Sequence, residues 1–477
     1  MYDIAIIGGG VIGGCILREL SKYKLNAVML EKGKDVCSGA SKANSGIVHA
    51  GFDALPGSKK AYFNVAGNKM MPAYCEELGV KYKNNGSLVI AFNEDEKAAL
   101  TELLSRGEQN GVDGLEIISG DKGRELEPNL SKNVIAALHA KTGGIVCPYE
   151  LTFKSIGSAM DNGAELKTEF LVVSVNKIAD GFEIISATGE KVAAKVVINC
   201  AGAHSGEIAK LFGDNSIKIG LRRGEYILLD RESGDFVSHT IFCTPTKKGK
   251  GILITNTVDG NILLGPTADE LEKEDKSTTA VGLDTVKQKA ALMADNVPFY
   301  NTITSFAGDR AYSADRHDFI IEESESVSGL INVCGIESPG LTSAPAIAKY
   351  VANELVGKKF KLVKKEDFNP HTQKVKPFKA LSEQEKNRLI KQNPAYGNVI
   401  CRCEKITEGE IISAIRTNPP AKTVDAVKRR TRAGMGRCQG GFCQPRVTEI
   451  LSRELNVPLE SVTKDDKGSE IVFYKTK

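Results

Sequence analysis

The sequence predicts an α/β fold: a nucleotide-binding unit, interrupted by a mostly antiparallel sheet domain and followed by a small helical unit. Three observations predict it. An apolar strand near the start runs straight into a glycine-rich loop and an apolar helix face. A block of short strands with turn signals fills the middle of the chain, and four of the eleven cysteines gather in two close pairs near the end.

The first strand is Asp3-Ile4-Ala5-Ile6-Ile7, an uninterrupted apolar run of the kind buried on both faces of a parallel sheet. It meets Gly8-Gly9-Gly10-Val11-Ile12-Gly13 with no polar residue between. In this G-x-G-x-x-G pattern Gly8 permits the tight turn, Gly10 lets a pyrophosphate approach the backbone, and Gly13 lets the helix pack on the strand. The phosphates are expected on the unpaired amides at the helix N-terminus. Val11, Ile12, Cys15, Ile16 and Leu20 give the helix its apolar face, and a second strand, Ala27-Val28-Met29-Leu30, ends at Glu31. An acidic residue at that point is placed to bind ribose hydroxyls and repels a 2′-phosphate, which favours FAD or NAD over NADP. The unit is Rossmann-like.

Residues 37–51 form a small, polar, glycine-bearing loop that turns apolar and carries one histidine, His49. Small residues there let the backbone lie against a flat ring system. A helix is expected over 64–78, a strand over 86–92 and a charged helix over 95–109. Residues 126–130 and 134–138 open a strand-rich part, and 144–149 lead back to a helix over 150–162. Strands follow over 170–178, 182–187 and 193–198, with Asp180-Gly181 and Thr188-Gly189 as turns. The last runs into Asn199-Cys200-Ala201-Gly202, a second small-residue strand end suited to lying beside a cofactor.

A separate, mostly antiparallel sheet is predicted over 218–306, with strands at 224–229, 240–244, 251–255 and 261–265 and a hairpin at Asp259-Gly260. A charged loop over 269–276 and a helix over 285–294 interrupt it. The strand 306–312 carries Arg310. A buried strand over 330–333 then leads through the glycine loop 335–345 to a helix over 346–355, whose N-terminus presents amides to an electron-rich group. The expected division is 1–80, 143–215 and 325–360 for the nucleotide-binding domain, 81–142 and 216–324 for the substrate or cap domain, 361–394 for a basic linker, and 395–477 for the C-terminal domain. No internal repeat is found.

Lysine and arginine total 63 against 60 acids, and a formal charge of +3 gives no case for nucleic acid. Residues 357–379, with eight lysines and two acids, read as a solvated linker, with docking to an acidic partner or to membrane headgroups as the alternative. Membrane contact is at most peripheral, because no apolar run approaches the ~18 residues of a span. The first strand begins at Tyr2, so no signal peptide is expected. Eleven cysteines then suggest a reducing, cytoplasmic setting, with Cys15, Cys37, Cys75, Cys147, Cys200, Cys243 and Cys334 as small core residues.

The other four cysteines stand as Cys401-x-Cys403, thirty-four residues, then Cys438-x4-Cys443. Two close pairs converging from separate loops are what a four-thiolate site requires, and either zinc or an iron-sulfur cluster takes one. Thr407 and Glu410 form a capping box ahead of an apolar helix, 424–432 is a second helix, and Pro445 opens a third.

The glycine motif with Glu31, the loop Asn44-Ser45-Gly46-Ile47-Val48-His49-Ala50-Gly51, and Gly335-Ile336-Glu337-Ser338-Pro339-Gly340-Leu341-Thr342 together resemble the FAD-dependent oxidoreductases of the glycerol-3-phosphate dehydrogenase and D-amino-acid oxidase superfamily, over about residues 1–360. Within it the chain is most similar to the glycerol-3-phosphate oxidase and dehydrogenase branch and to L-2-hydroxyglutarate dehydrogenase. The resemblance implies that Gly340, Leu341 and Thr342 face the pyrimidine edge of the flavin, that the loop with Ser45 and Gly46 lines it, and that Val172 meets the adenine through its backbone. It further implies His49 as the base for a substrate hydroxyl, Arg310 as the fork for a phosphate or carboxylate, and Lys248 and Ser338 as additional substrate contacts.

Residues 431–443 resemble the bacterioferritin-associated-ferredoxin-like domain of the anaerobic glycerol-3-phosphate dehydrogenase large subunit. That implies a [2Fe-2S] cluster, rather than zinc, on Cys401, Cys403, Cys438 and Cys443, with Arg402, Arg437 and Arg446 offsetting its negative charge. The implied activity is oxidation of sn-glycerol 3-phosphate to dihydroxyacetone phosphate, with electrons leaving through the cluster to a redox protein or a second flavoprotein subunit. The alternatives are an L-2-hydroxyglutarate-type dehydrogenase and a non-catalytic electron-transfer subunit.

Overall fold

The computed structural model describes residues 1–245, 251–372 and 376–474. Tyr2–Ile7 lies inside a mixed eight-stranded sheet, parallel to Lys191–Asn199 on one side and to Ala27–Leu30 on the other. Ile4, Ala5 and Ile6 are fully buried, as a strand covered on both faces requires. Leu330–Cys334 runs parallel to the end of Lys191–Asn199, and Val172–Ile178 with Gly181–Ser186 adds an antiparallel hairpin. The helices Val11–Leu20, Lys59–Leu78, Pro148–Asp161 and Gly340–Tyr350 share one apolar core with Ile4 and Ile6.

The second sheet has nine strands and is antiparallel except where Thr240–Cys243 runs beside Ser87–Ala91. Its spine is the long pairing of Ile219–Leu229 with Thr302–Ser313. A small three-stranded sheet ties Ile47–Val48 and Tyr82–Lys83 to Gly144–Val146, and so fixes the loop that leads to His49.

Several elements depart from the sequence reading, each for a local reason. The helix expected at 64 begins at Lys59, because the Ser58 hydroxyl accepts the Ala61 amide and caps it. The helix expected over 285–294 is Ala280–Met293, capped by Thr279. Within the charged stretch 269–276, Asp269–Leu271 is an edge strand, held by hydrogen bonds to 221–223 rather than by apolar alternation. The helix expected from 346 starts at Gly340, where glycine and proline read as loop residues, and widens into a π-helix over Val351–Leu355. Leu115–Ser119, Gly120–Leu126 and Ile320–Glu323 add two strands and a short helix that the pattern does not reveal. Inside the stretch read as a linker, Glu383–Gln392 is a helix with a capping box between Ser382 and Glu385.

Of the seven scattered cysteines six are buried, and burial raises their thiols above the ordinary range; Cys243 is only partly covered. Among the described residues no helix is long and apolar enough to cross a membrane.

The C-terminal unit packs Ile400, Ile411, Ile415, Val427 and Leu451 around a hairpin, Val399–Cys401 with Ile406–Thr407, and three helices, Glu408–Arg416, Val424–Thr431 and Gln444–Leu455. It is fastened to the loop after Glu31 by buried charge. Asp35 accepts from Arg429 and Arg430, each at 2.7 Å, with all three side chains at most 6% exposed. Burial alone would raise the Asp35 carboxyl, but Arg430 and then Arg429 hold it below its ordinary value. Replacing Asp35 by Asn leaves two buried guanidinium groups short of their counter-charge, and breaking such a pair costs about 3 kcal/mol. A depressed folded-state pKa contributes stability above the unfolded value and loses it as pH falls. Denaturation midpoints of Asp35→Asn should therefore fall well below wild type at pH 7, and the gap should close below about pH 4.

Candidate active site and cluster site

A cavity of about 790 Å³ opens at the carboxyl ends of the parallel strands, between them and the second sheet. This is where open α/β sheets bind nucleotides, and the volume suits a cofactor pocket of ~300–1,000 Å³. Gly8, Gly10, Glu31, Ser45, Val172, Gly202, Gly340 and Leu341 line it, together with His49, Arg310 and Ser338. Gly13, Gly46 and Thr342 do not reach its wall. Gly13 packs so closely that a Cβ there would stand 2.2 Å from the Gly8 carbonyl oxygen. Gly46 takes a φ of 66° at the start of the three-stranded sheet. Lys248 lies outside the described residues.

The strand-to-helix turn is shaped for a dinucleotide. Gly8 has a φ of 113°, and a Cβ there would meet the Cys200 carbonyl oxygen at 2.4 Å, so the chain is bare where phosphates approach. The Glu31 carboxylate accepts from the Gly9 amide at 2.7 Å and from the Gly33 amide at 2.8 Å. Its burial raises the carboxyl against the pull of those two amides.

At the other end, the His49 Nε2 and Ser338 Oγ are 3.3 Å apart, and the imidazole packs on Phe242 with ring centroids 5.9 Å apart. The backbone of His49 is held on both sides. Its amide donates to Thr342 Oγ1 at 2.9 Å, and its carbonyl accepts from Asn64 and Asn68. Thr342 thus clamps the histidine loop to the helix that begins at Gly340. Arg310 donates to the Thr267 carbonyl at 2.9 Å; its buried Nε has no partner, and no carboxylate pairs with it among the described residues. The nearby acids are used elsewhere. Asp318 accepts the Lys59 and Lys60 amides, Asp309 accepts the Asp275 amide, and Asp315 accepts from Ser313.

The four clustered cysteines form two pairs. Cys403 and Cys438 have their sulfurs 3.7 Å apart, close to the ~3.8 Å edge of a tetrahedron with metal–sulfur bonds of about 2.3 Å. In the other pair the Cys443 thiol donates toward Cys401 and lowers it to about 6, while Cys443 itself is raised. Gly436 leaves room for the first pair: a Cβ there would stand 2.4 Å from the Cys403 Cβ. Among the described residues no three His, Cys, Asp or Glu side chains converge on one point. Two pairs of thiolates suit a two-iron cluster, with two sulfurs for each iron, better than one zinc ion that needs all four. Arg437 is paired with Glu232 and Asp230 and Arg446 with Glu449, so of the three arginines expected to offset cluster charge only Arg402 has no ion-pair partner among the described residues.

Residues not singled out from the sequence also shape the cavity. Tyr226 lines it, stacked on Phe306, and strand alternation around it gives no functional signal. Asp465 and Asp466 line it from the far end of the chain. Asp465 pairs with Lys42 at 2.9 Å and with Arg429 at 3.3 Å, and Asp466 accepts the Lys34 amide at 2.9 Å. The contacts to Lys42 and Lys34, over more than 400 positions, carry no local pattern.

A family model described as FAD dependent oxidoreductase matches residues 3–354, and one described as BFD-like [2Fe-2S] binding domain matches residues 399–453. A glycerol 3-phosphate dehydrogenase of Caloramator mitchellensis is 49% identical, with 100% of this chain and 99% of that protein covered. A glycerol 3-phosphate oxidase of Mycoplasma genitalium is 33% identical and covers 77% of this chain and 97% of its own length. Among solved structures, dithionite-reduced L-alpha-glycerophosphate oxidase from Mycoplasma pneumoniae with FAD bound superposes with a TM-score of 0.74 at 29% identity, covering 78% of this chain and 98% of the other.

The C-terminal carboxylates hold the wall of the nucleotide end in place. Exposed ion pairs are worth up to about 1 kcal/mol, so Asp465→Ala/Asp466→Ala should weaken nucleotide retention by about fivefold. Release followed by flavin fluorescence on dilution checks this; unchanged release would mean that the segment only rests against the wall.

Proposed function

The chain belongs to the FAD-dependent oxidoreductase family, and on that premise we propose that it oxidises sn-glycerol 3-phosphate to dihydroxyacetone phosphate and passes the electrons through a [2Fe-2S] cluster to a second redox protein. The observation that carries the reading is Arg310, a guanidinium in the cavity wall with an unpartnered buried nitrogen and no carboxylate partner among the described residues. It sits in the same cavity as His49 and Ser338. The full-length similarity to a glycerol 3-phosphate dehydrogenase supports the substrate.

Gly8, Gly10 and the amides that follow would hold the FAD pyrophosphate, Glu31 the ribose, and Gly340 and Leu341 the pyrimidine edge. Bound FAD supplies a two-electron acceptor for the hydride, and the cluster supplies a one-electron outlet. The chain's own residues do the rest. Arg310 binds the phosphate and sets which way the hydroxyl-bearing carbon faces. His49 Nε2 takes the hydroxyl proton, with Ser338 beside it to orient the imidazole and the substrate oxygen. Phe242 closes one side of the imidazole against water. The oxidase relative matches 97% of itself but only 77% of this chain, so part of this chain has no counterpart there. An enzyme that gives its electrons directly to oxygen has no need of a cluster, which supports a dehydrogenase. Buried, protonated thiols suit the cytoplasmic setting that belongs to this proposal.

Arg310 suits a carboxylate as well as a phosphate, and an L-2-hydroxyglutarate-type reaction is the competing assignment. Under anaerobic conditions glycerol 3-phosphate should bleach the flavin absorbance of the purified protein, and L-2-hydroxyglutarate should not. Bleaching by hydroxyglutarate alone would reverse the assignment, and bleaching by neither would leave a relay without chemistry of its own. His49→Ala should keep its FAD and lose about 10²- to 10⁴-fold in the bleaching rate, measured by stopped flow.

A further inference from the structure

The four-cysteine site has an inside and an outside. Cys401 and Cys443 are buried in the core of the C-terminal unit, whereas Cys403 and Cys438 are partly exposed. Electron transfer falls off steeply with distance, so a partner must come to the Cys403 and Cys438 edge. The side chain that marks this edge is Phe442. It is 85% exposed, directly precedes a ligand cysteine, and its amide donates to the Cys438 sulfur. What sets Phe442 apart from other exposed rings is its place beside the metal-binding loop, and interface cores favour Phe and Arg.

The charges around it have one sign in excess. Arg402 lies between Cys401 and Cys403, Lys405 two residues beyond, Arg437 directly before Cys438, and Arg446 three after Cys443; all four are exposed. Glu404 is buried and already shared by Arg231, Lys379 and Arg432. Arg437 faces two carboxylates, Glu232 and Asp230, and Arg446 faces one, Glu449, while Arg402 and Lys405 form no ion pair among the described residues. Each of the four cations lies within three residues of a ligand cysteine, and the excess of positive charge steers an approaching acidic surface.

We propose that Phe442, together with the exposed cations Arg402, Lys405, Arg437 and Arg446 beside the ligand cysteines, is the docking surface for a small acidic one-electron carrier protein. The inference rests on the proposed function and names the class of its electron acceptor. Each substrate oxidised releases two electrons and two protons. Two carrier molecules, docking in turn, each take one electron and are reduced, and the protons pass to solvent.

The test uses the full-length holoprotein with oxidised rubredoxin, a small acidic iron protein, as the probe, and cytochrome c, small and basic, as the charge control. Binding is measured by isothermal titration, and the cluster spectrum of each variant is recorded first. Wild type should bind rubredoxin with an affinity that falls as salt rises, and should not bind cytochrome c. Phe442→Ala and Lys405→Glu/Arg446→Glu should each weaken binding at least tenfold with the cluster spectrum intact. In Phe442→Ala the bleaching of flavin by glycerol 3-phosphate should be unchanged. Equal binding by the variants, preference for cytochrome c, or no binding of rubredoxin to wild type would overturn the proposal. Failure of bleaching in wild type with binding intact would instead overturn the proposed substrate, leaving the docking surface standing.

Discussion

One buried carboxylate, Asp35, holds the C-terminal unit against the nucleotide loop, and most of what is distinctive about the molecule depends on it. Two consecutive arginines on one helix close on its two oxygens, and Arg430 also lies over the Phe153 ring at 5.2 Å. Arg429 passes the contact on to Asp465, which reaches Lys42, so the loop over 32–42 is gripped from both ends. Buried ion pairs contribute little net stability once desolvation is counted, but only one relative placement satisfies all of these charges. The position of the cysteines relative to the cavity is thereby set by packing and charge, to which the lysine-rich segment adds contacts such as Lys379 with Glu404 and the Pro370 carbonyl with Arg18.

The second sheet supplies the other anchorage. Arg432 pairs with Asp259 at the tip of a hairpin and with the buried Glu404, while Arg437 reaches Glu232 and Asp230 across a neighbouring turn. Arg231 in that same turn donates to the Cys403 carbonyl at 2.5 Å. The C-terminal unit therefore touches both the sheet that carries the glycine turn and the sheet that carries Arg310. A motion between those sheets, such as closure on a substrate, would be felt at the metal-binding loops.

Much of this was legible in the sequence wherever function rests on local geometry. The strand and turn of residues 3–13 can be read because a nucleotide site needs glycine at fixed offsets. Cys401, Cys403, Cys438 and Cys443 stand out because thiolates must arrive in close pairs, and the structure places His49, Arg310 and Ser338 on one cavity. The unread parts depend on partners remote in the chain. Asp269–Leu271 is a strand only because 221–223 offers it an edge, and the helix at Gly340 starts among residues that by themselves favour a turn. Nothing near Asp465 or Asp35 distinguishes them from solvated acids; only the fold shows one lining a cavity and the other buried between two arginines. Thr342 also holds the His49 amide, a role that needs the two loops to be seen together.

The proposed route of electrons has a structural counterpart in one strand. Ile219–Leu229 contributes Tyr226 to the cavity wall and pairs with the strand that carries Arg310. Five residues beyond Tyr226, Arg231 bonds the Cys403 carbonyl. Extended chain advances about 3.4 Å per residue, so the backbone of Tyr226 at the cavity wall and that of Arg231, whose guanidinium then spans to the cysteine loop, are at most about 17 Å apart. The same strand that shapes the substrate end thus brings the partly exposed Cys403 within reach of it, while Cys401 and Cys443 stay buried in the core of the C-terminal unit. An electron that enters from the cavity side meets a covalently continuous, hydrogen-bonded path as far as the loop, and the remaining open direction is outward, past Cys438 and Phe442. A rigid attachment through Asp35 is what such an arrangement requires: a unit free to swing on its linker would lose this short approach for most of the time.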